Sequence, residues 1–340
     1  MGQRRTGSTA AGAKTIRVKS VNPPPKSDTV WSDFGIFGTV LLSMALFLQT
    51  PWAASAWSAF LALPGIDGDA RWGSLVMLWL PNLLVYYPYS AMYAVIDLCF
   101  HDAFKHKKVQ PTSPRPTVAQ YVDAALVTGM NTFIVEPFLM FLLFKYGWPA
   151  WGHCAWTEDA CRTMPSLPWA LLSVVVFVLC FEVGFYSTHR LGHQRPLYAW
   201  IHKLHHTFKS PAALTAKYAH PVEHTFSNLM PLLAGPLLMG AHPLLTLAWV
   251  SAGLFQTCTG HSGYWLSPIL PTSHMHDWHH EVTHECFGTI GLLDGILGTA
   301  ARFTARRQGK LPVHIVGVDD GVKEDETWED SDGEGHSKTA

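Results

Sequence analysis

Histidines at helical spacing are the residues of this chain best suited to chemistry. Eight of its 19 histidines fall into three short boxes, HxxxH, HxxHH and HxxHH: His189 and His193; His202, His205 and His206; His276, His279 and His280. Positions i and i+3 or i+4 lie on one face of an α-helix, so the imidazoles of one box can reach a common ion. The adjacent pairs can reach two neighbouring sites. His261, a little before the third box, is a ninth candidate.

The donor chemistry narrows the choice of metal. Imidazole sites without thiolate suit Fe, Zn, Cu or Ni, whereas Mg and Ca prefer oxygen ligands. A catalytic zinc ion usually takes about three protein ligands. Eight or nine histidines exceed the needs of one ion and indicate two. Spacing alone does not separate iron from zinc.

Composition places this cluster beside a membrane. Hydrophobic residues make up 48% of the 340 residues and charged residues only 14%, against about 25% charged in soluble domains. Lys and Arg (24) balance Asp and Glu (25), so the chain lacks the basic excess of a nucleic-acid binder. We therefore predict an all-α integral membrane protein.

Four apolar segments are long enough to cross about 30 Å of hydrocarbon as helices. They span residues 34–63 (interrupted by Pro51), 73–99, 121–146 and 167–187. A fifth stretch, broken near Gly240, predicts a re-entrant or short hairpin over residues 226–257. The predicted organisation is a flexible basic tail (1–30), transmembrane helices (31–188), a His-rich catalytic domain that contains the hairpin (189–310) and an acidic disordered tail (311–340).

Loop charges predict the orientation. Basic residues of 105–115 follow the second apolar segment and, with the basic N-terminal tail, favour the cytoplasmic side. The fourth helix then emerges into the cytoplasm at the first His box, and a cytosolic helical domain caps the membrane part. The loop on the opposite side contains Cys154 and Cys161. A disulfide in an oxidising lumen and two free thiols are equally compatible with the sequence.

The order of the boxes after a membrane helix resembles the fatty acid hydroxylase/sterol desaturase superfamily. Three short sequence motifs in and around the boxes are similar to those of its sterol C4-methyl oxidase branch: Tyr218-Ala-His-Pro-Val-Glu-His224, His261-Ser-Gly-Tyr264 and His276-Asp-Trp-His-His280. The likeness covers about residues 181–299. It implies a di-iron enzyme that uses O₂ to oxidise unactivated C–H bonds of lipids. It further implies cytochrome b5 or a similar electron donor with an NAD(P)H reductase, and an endoplasmic reticulum membrane location with the cluster facing the cytosol.

The resemblance also supplies a ligand set. The family's ligand positions correspond to His189, His193, His202, His205, His206, His261, His276, His279 and His280. Related lipid hydroxylases place another His four residues before the one matching His261, where this chain has Thr257. A tenth ligand or a site-lining role stays open for four histidines: His220, His224, His274 and His284.

Two acidic residues are predicted to lie close to the ligands. Glu182 is seven residues before His189 and shares its helical face. It is expected to orient a ligand imidazole or to pair with Arg190 or Arg195. Asp277, inside the third box, is expected to accept a hydrogen bond from a ligand His. A third acid, Glu136 of the third apolar segment, is expected to bond a neighbouring helix or to line the substrate path.

These observations predict an O₂-dependent lipid monooxygenase. A sterol is the first expected substrate, with a sphingolipid or fatty acyl chain as the alternative, and hydroxylation and desaturation both stay open. Two other classes are kept: a metal transporter, which needs polar ligands near the middle of the bilayer, and a catalytically altered lipid-binding relative, which the Thr257 substitution favours. The sequence leaves the oligomeric state open.

Overall fold

The computed structural model describes residues 30–147, 162–267 and 270–308. These residues form helices and turns, with no strand among them beyond an isolated antiparallel bridge between Lys108 and Tyr264. The first five helices are α1 (Val30–Phe47), α2 (Pro51–Leu61), α3 (Ala70–Cys99), α4 (Val118–Leu142) and α5 (Leu167–Gly192). The next five are α6 (Met230–Met239), α7 (Pro243–His261), α8 (His274–Val282), α9 (Leu292–Leu297) and α10 (Ala301–Arg307). The predicted basic tail up to residue 29, the acidic tail and both cysteines of the 147–166 loop lie outside the described residues.

Two of these helices, α4 and α5, are long and apolar enough to cross a membrane. The number rises to four if each of two bent helix pairs counts as one span. One pair is Gly38–Phe47 with Pro51–Leu61, which bends by 85°, and the other is Ala70–Cys99 with His101–Lys107, which bends by 102°. The predicted count of four lies within this range of two to four. The first bend lies where Pro51 forces Thr50 into extended backbone.

The predicted hairpin region consists of α6 and α7. Gly240 separates them in the left-handed conformation (φ 54°), which glycine adopts without a steric penalty. The two helices have 10 and 19 residues and are not among the candidate spans of the described chain. Since α7 ends at His261, the hairpin brings a ninth histidine back to the three boxes.

Proline residues widen three helices into π turns instead of ending them. Each of these prolines (Pro88, Pro137 and Pro231) comes two residues after a π turn, and the three turns are Asn82–Tyr86, Asn131–Val135 and His224–Leu229. Proline lacks the backbone N–H, and its ring clashes with the carbonyl group four residues earlier. A wider turn accommodates that carbonyl group while the helix continues. The helices therefore keep their length and change which residues face the protein interior.

A close crossing of α5 and α6 fixes the first His box relative to the hairpin. A Cβ atom on Gly235 would lie 2.5 Å from the Cα of Phe177, so the two backbones approach as closely as glycine allows. Phe177 is fully buried and lies 5.4 Å from the ring of Trp249 on α7. The indole Nε1 of Trp249 donates to the carbonyl of Leu232 on α6 at 2.7 Å. This contact sets α5, which ends with the first box, against α7, which ends at His261.

The second His box departs from the predicted α-helix. His202 ends a π turn (Tyr198–His202), and His205 begins a 3₁₀ turn (His205–Thr207). Both turns keep the three rings of the box buried. In a regular α-helix, adjacent side chains point about 100° apart. The irregular backbone of this box lets adjacent side chains point in different directions without that fixed angle.

Candidate metal centre

The nine histidines predicted as ligands converge into two groups. Within each group, one ring nitrogen from every residue lies within 4.8 Å of the others. The five-His group contains His189, His193, His202, His206 and His279. The four-His group contains His205, His261, His276 and His280. The adjacent residues His205 and His206 thus serve different groups, and so do His279 and His280.

Ring nitrogens in both groups are spaced as ligands of one ion would be. In the five-His group, neighbouring Nε2 atoms are separated by 2.8 Å (His202 to His193), 2.9 Å (His206 to His202), 3.1 Å (His193 to His279) and 3.2 Å (His279 to His206). In the four-His group they are separated by 2.8 Å (His276 to His261), 3.1 Å (His280 to His276) and 3.3 Å (His261 to His205). An ion with nitrogen ligands at about 2.0–2.1 Å has neighbouring donors about 3 Å apart.

Backbone carbonyls orient most of these rings through the other nitrogen. The Nδ1 atoms of five histidines each contact a carbonyl oxygen: His189 that of Phe287 (2.8 Å), His205 that of Tyr218 (3.3 Å), His261 that of Thr257 (2.8 Å), His279 that of Glu285 (2.7 Å) and His280 that of Phe208 (3.1 Å). A carbonyl only accepts, so each of these Nδ1 atoms carries the hydrogen. Each Nε2 atom is then left with a lone pair, which is the state that binds a metal.

The pair His205 and His261 gives the clearest test of whether a metal fits. Both Nδ1 atoms donate to carbonyls, so the two Nε2 atoms face each other as lone pairs at 3.3 Å. Two acceptors at that distance form no hydrogen bond and repel each other. A cation bound by both nitrogens replaces that repulsion with two favourable contacts. The donor set and its geometry therefore suit a metal of the iron or zinc type.

Burial keeps these imidazoles neutral. It lowers the pKa of His202 and His279 to about 3 and the pKa of His205 to about 4. For His206 and His280, burial and then the neighbouring histidines lower the pKa well below its usual value. Metal binding requires deprotonated ligands, so the site is prepared for a cation at neutral pH.

Glu182 has a different role from the one predicted. Its buried carboxylate contacts neither a His of the two groups nor Arg190 or Arg195. It accepts four hydrogen bonds from residues 289–293: from the N–H and hydroxyl of Thr289 (3.0 and 2.9 Å), from Ile290 N–H (3.1 Å) and from Leu293 N–H (3.0 Å). Sequence position showed the shared face with His189 but not this loop, which is more than a hundred residues away. Glu182 therefore binds the segment that follows Phe287, whose carbonyl contacts His189.

Two acids that the sequence analysis missed hold the same region. Asp294 accepts from the N–H groups of Phe287 (2.9 Å) and Gly288 (2.7 Å). Glu285 accepts from the indole Nε1 of Trp278 at 3.0 Å, and its own carbonyl contacts His279. Both carboxylates are buried. Their positions just after the third box were the only signal in the sequence.

A third missed acid contacts a ring directly. Glu223 Oε1 lies 2.7 Å from Nδ1 of His202, a carboxylate–histidine contact of the kind that orients metal ligands. Glu223 lies within the Tyr218–His224 sequence motif. Asp277, which was predicted for such a contact, is buried and accepts from Gln110 Nε2 at 2.7 Å. That bond ties α8 to the basic turn at residues 105–115.

The four candidates for a tenth ligand lie outside both groups. His220 caps the turn Pro221–Glu223 by accepting from Val222 N–H, and His224 contacts Glu136. His284 is exposed, and its Nε2 lies 2.9 Å from an Arg302 nitrogen. His274 is buried on α8. Thr257, at the position of the missing His, has its hydroxyl 3.5 Å from Nδ1 of His261.

Comparison with known proteins decides the family. Residues 174–299, which contain all nine histidines, match the family described as fatty acid hydroxylase. The chain is 30% identical over 298 residues to human fatty acid hydroxylase domain-containing protein 2, covering 83% of this chain and 86% of that protein. The chain belongs to the fatty acid hydroxylase family. The family resemblance inferred from the His boxes and the sequence motifs around them is thereby confirmed.

Other members of this family show the range of names that it includes. The chain is 28% identical over 218 residues to methylsterol monooxygenase 1 of Danio rerio, covering 62% of this chain and 70% of that protein. It is 34% identical over 215 residues to fatty acid hydroxylase ahd1 of Mycosarcoma maydis, covering 63% of this chain and 54% of that protein. No solved structure matches the chain. These relatives support a lipid hydroxylase or oxygenase.

This fatty acid hydroxylase family member contains a large apolar cavity beside the four-His group. The cavity has a volume of about 820 Å³ and is lined mainly by leucine, phenylalanine and methionine side chains of α3 to α7. A smaller pocket of about 100 Å³ reaches His261 and His276. Both spaces share the wall residues Phe181, Phe185, Gly253 and Thr257. The cavity is large enough for a lipid, and the small pocket that shares its wall reaches the four-His group.

Proposed function

We propose that this protein is a membrane-bound, O₂-dependent lipid oxygenase with two iron ions. The observation that carries the proposal is the 2.8–3.3 Å spacing of neighbouring ring nitrogens in the two histidine groups. One ion would be held by the five-His group and the other by the four-His group. When bound, the iron supplies the O₂ activation and C–H oxidation that amino acid side chains lack.

The four-His group is the side from which substrate approaches. His261 and His276 line the small pocket that adjoins the cavity. In the described part of the chain, no member of the five-His group lines either space. The four-His group also has one histidine fewer, with Thr257 on the shared wall. We therefore assign substrate contact to this group and a more enclosed position to the other.

The protein's own residues position the lipid and exclude water. Phe181 and Phe185 lie on the wall shared by the two spaces, where a lipid that extends from the cavity towards His261 would contact them. Carbonyl groups hold the rings in one tautomer, so the ligands need little reorganisation when a metal binds. A dry, preorganised site of this kind favours oxidation of the positioned carbon over side reactions.

The substrate proposed first is a sterol, because the sequence motifs around the His boxes resemble the sterol branch and a relative is named methylsterol monooxygenase 1. A fatty acyl or sphingolipid substrate is the alternative, which the relative named fatty acid hydroxylase ahd1 supports. Hydroxylation and desaturation both remain compatible with the site. Analysis of sterols and sphingolipids in a deletion strain separates these substrates, since the true substrate accumulates.

The cluster is proposed to face the cytosol from the endoplasmic reticulum membrane and to receive electrons from cytochrome b5 or a similar acidic partner. Lys105 and Arg115 of the basic turn are exposed, and Gln110 of that turn bonds to Asp277 on α8. An acidic donor would thus dock on a surface connected to the third His box. Lys108, counted among the basic loop residues, is instead buried against Asp97 at 3.4 Å.

Metal content and turnover of matched His variants test the proposal. His279→Ala removes a ring of the five-His group, whereas His284→Ala removes an exposed ring on the segment that follows α8. Purified wild-type protein is expected to contain about two irons per chain and to consume O₂ with lipid. His279→Ala should lose iron and turnover, while His284→Ala keeps both. Unchanged lipid oxidation by His279→Ala would refute the assignment.

A further inference from the structure

One corner of the large cavity is polar. Four of its polar lining residues are buried, hydrogen-bond to one another and come from different parts of the chain: Asn82 on α3, Glu136 on α4, Lys217 and His224. None of them lines the small pocket that reaches His261 and His276. The cavity therefore has one polar corner, formed by these four residues, and a different wall that it shares with the small pocket at the four-His group.

The polar corner is a connected network centred on Glu136. Its Oε1 accepts from Lys217 Nζ at 2.5 Å and from His224 Nε2 at 3.0 Å, and its Oε2 accepts from Asn82 Nδ2 at 2.7 Å. Lys217 Nζ also donates to Asn82 Oδ1 and lies 5.0 Å from the ring centroid of Tyr86. The prediction that Glu136 bonds a neighbouring helix agrees with its bond to Asn82 on α3. Its place on the cavity wall is compatible with the other predicted role, lining the substrate path.

A network of this kind is costly in an apolar cavity. Replacing a buried ion pair with apolar side chains of similar volume is often neutral or stabilising, so packing alone gives no reason for this pair. Ionisable groups inside a membrane protein usually mark a functional site. A few convergent polar groups in an otherwise apolar cavity are what fix the orientation of a ligand.

Charge balance indicates which head group the corner accepts. The ammonium of Lys217 and the carboxylate of Glu136 cancel, and Asn82 is neutral. A hydroxyl group can accept from Lys217 in place of the long 3.5 Å bond that its Nζ makes to Thr132 Oγ1, and it can donate to a carboxylate oxygen of Glu136, so it matches both sides of the network. A carboxylate or sulfate head would instead place a second negative charge beside Glu136 in a poorly solvated site. The corner therefore suits a neutral alcohol better than an acid.

One segment connects the polar corner to both histidine groups. Lys217 and His224 stand at the two ends of residues 217–224. Within this segment, the carbonyl of Tyr218 contacts His205 and the carboxylate of Glu223 contacts His202. Asn131 on α4 holds the segment through bonds to the carbonyls of residues 217 and 219. A head group bound at the corner is thus held in a fixed relation to the histidines.

We propose that Asn82, Glu136, Lys217 and His224 form a head-group site that selects lipids with a neutral hydroxyl and positions them in the cavity. This inference rests on the proposed function, since it concerns the substrate of the same site. It assigns a positioning role to these residues and no part in the oxidation. Its direct consequence is a difference in affinity between an alcohol and the corresponding hydrocarbon or anion.

Equilibrium binding to the purified full-length protein tests this site. Two matched probe series in detergent are cholestanol, cholestane and cholestanol sulfate, and hexadecanol, hexadecane and palmitate. In at least one series, the wild-type protein should bind the alcohol about tenfold more tightly than the other two, as one or two net hydrogen bonds would give. The double variant Glu136→Gln with Lys217→Met removes both charges together and should abolish the preference for the alcohol.

A second buried ion pair provides the matched control. Asp97 and Lys108 are each about 1% exposed in their side chains, and neither lines the cavity. The double variant Asp97→Asn with Lys108→Met should keep the alcohol preference even if it lowers the melting temperature as much. His224→Leu leaves the ion pair in place and should reduce the alcohol preference partially. This variant provides the test of the site if Glu136→Gln with Lys217→Met does not fold.

The outcomes separate this inference from the proposed function. No alcohol preference in either series, or an undiminished preference in Glu136→Gln with Lys217→Met, overturns the head-group site. If that double variant does not fold, an undiminished preference in His224→Leu overturns it. Binding is measured without turnover, so it does not depend on iron or O₂. If the alcohol preference depends on the four residues but the iron-loaded protein oxidises no lipid, the head-group site stands and the oxygenase proposal fails.

Discussion

Glu182 on α5 binds Thr289 twice, accepting from its backbone N–H at 3.0 Å and from its hydroxyl at 2.9 Å. The same carboxylate binds two further backbone N–H groups of this loop. The loop begins next to the carbonyl of Phe287, which holds the His189 ring. A single carboxylate in the apolar helix α5 thus fixes the loop that orients a histidine seven residues further along that helix.

Removal of that carboxylate should loosen the loop and weaken metal binding. Glu182→Leu leaves three N–H groups and a hydroxyl without their acceptor, at about 1–3 kcal/mol for each group that stays buried. We expect faster hydrogen exchange over residues 287–293 and a metal affinity lower by about 10–100-fold. Glu182→Gln keeps one carbonyl oxygen and should lie between. Exchange and iron content equal to wild type in Glu182→Leu would rule out this role.

Glycine at position 288 should be required by the same loop. A Cβ atom there would lie 2.8 Å from Glu182 Oε1 and 2.8 Å from Asp294 Oδ2. Gly288→Ala must therefore displace the loop, and we expect a loss of about 1–3 kcal/mol in the free energy of unfolding. Gly295→Ala is the control, because nothing lies within 4 Å of its added Cβ atom. Thermal unfolding in detergent should show a lower midpoint only for Gly288→Ala.

Glu223 should stabilise the bound metal through His202. Glu223→Leu removes the carboxylate at 2.7 Å from Nδ1, and a lost contact of this kind lowers metal affinity by about 10–100-fold. Glu223→Gln can still accept the Nδ1 hydrogen through its amide oxygen and should lose less. Chelator competition on purified protein measures the affinities. Equal affinities for wild type and Glu223→Leu would show that the contact does not support the ligand.

The metal-free protein should lose stability on acidification. Burial lowers the pKa of His202 and His279 to about 3 and that of His205 to about 4, whereas an unfolded His takes up its proton near about 6.5. The unfolded state therefore binds more protons, and stability falls as the pH drops from about 6.5 towards 4. Bound metal opposes protonation, so the loaded protein should resist acid to a lower pH. Melting temperatures of both forms against pH measure the difference.

The His boxes were predictable because their geometry is local. Spacing of i, i+3 and i+4 determines which rings share a helical face, and it predicted that His205 and His206 reach neighbouring sites. The structure places these two rings in different groups, although π and 3₁₀ turns replace the regular helix there. The family could also be recognised from these boxes and the sequence motifs around them. Apolar length likewise predicted membrane-spanning helices, and the described residues contain between two and four candidates.

The contacts around the rings could not be predicted because they join distant parts of the chain. Glu182 shares a face with His189 in sequence, but its partners lie 107 to 111 residues away. Lys108 stands in a basic loop that suggests a surface position, yet it is buried beside Asp97. Such pairings depend on how helices cross, and a close approach such as that of Gly235 to Phe177 has no signature in a single sequence.

The arrangement of His205 with His206, and of His279 with His280, has a mechanical consequence. Each pair shares a peptide bond but sends one ring to each group, so a small rotation of that backbone disturbs both centres at once. The two ions are therefore expected to enter and leave together, and protein loaded with only one of them should be scarce during titration.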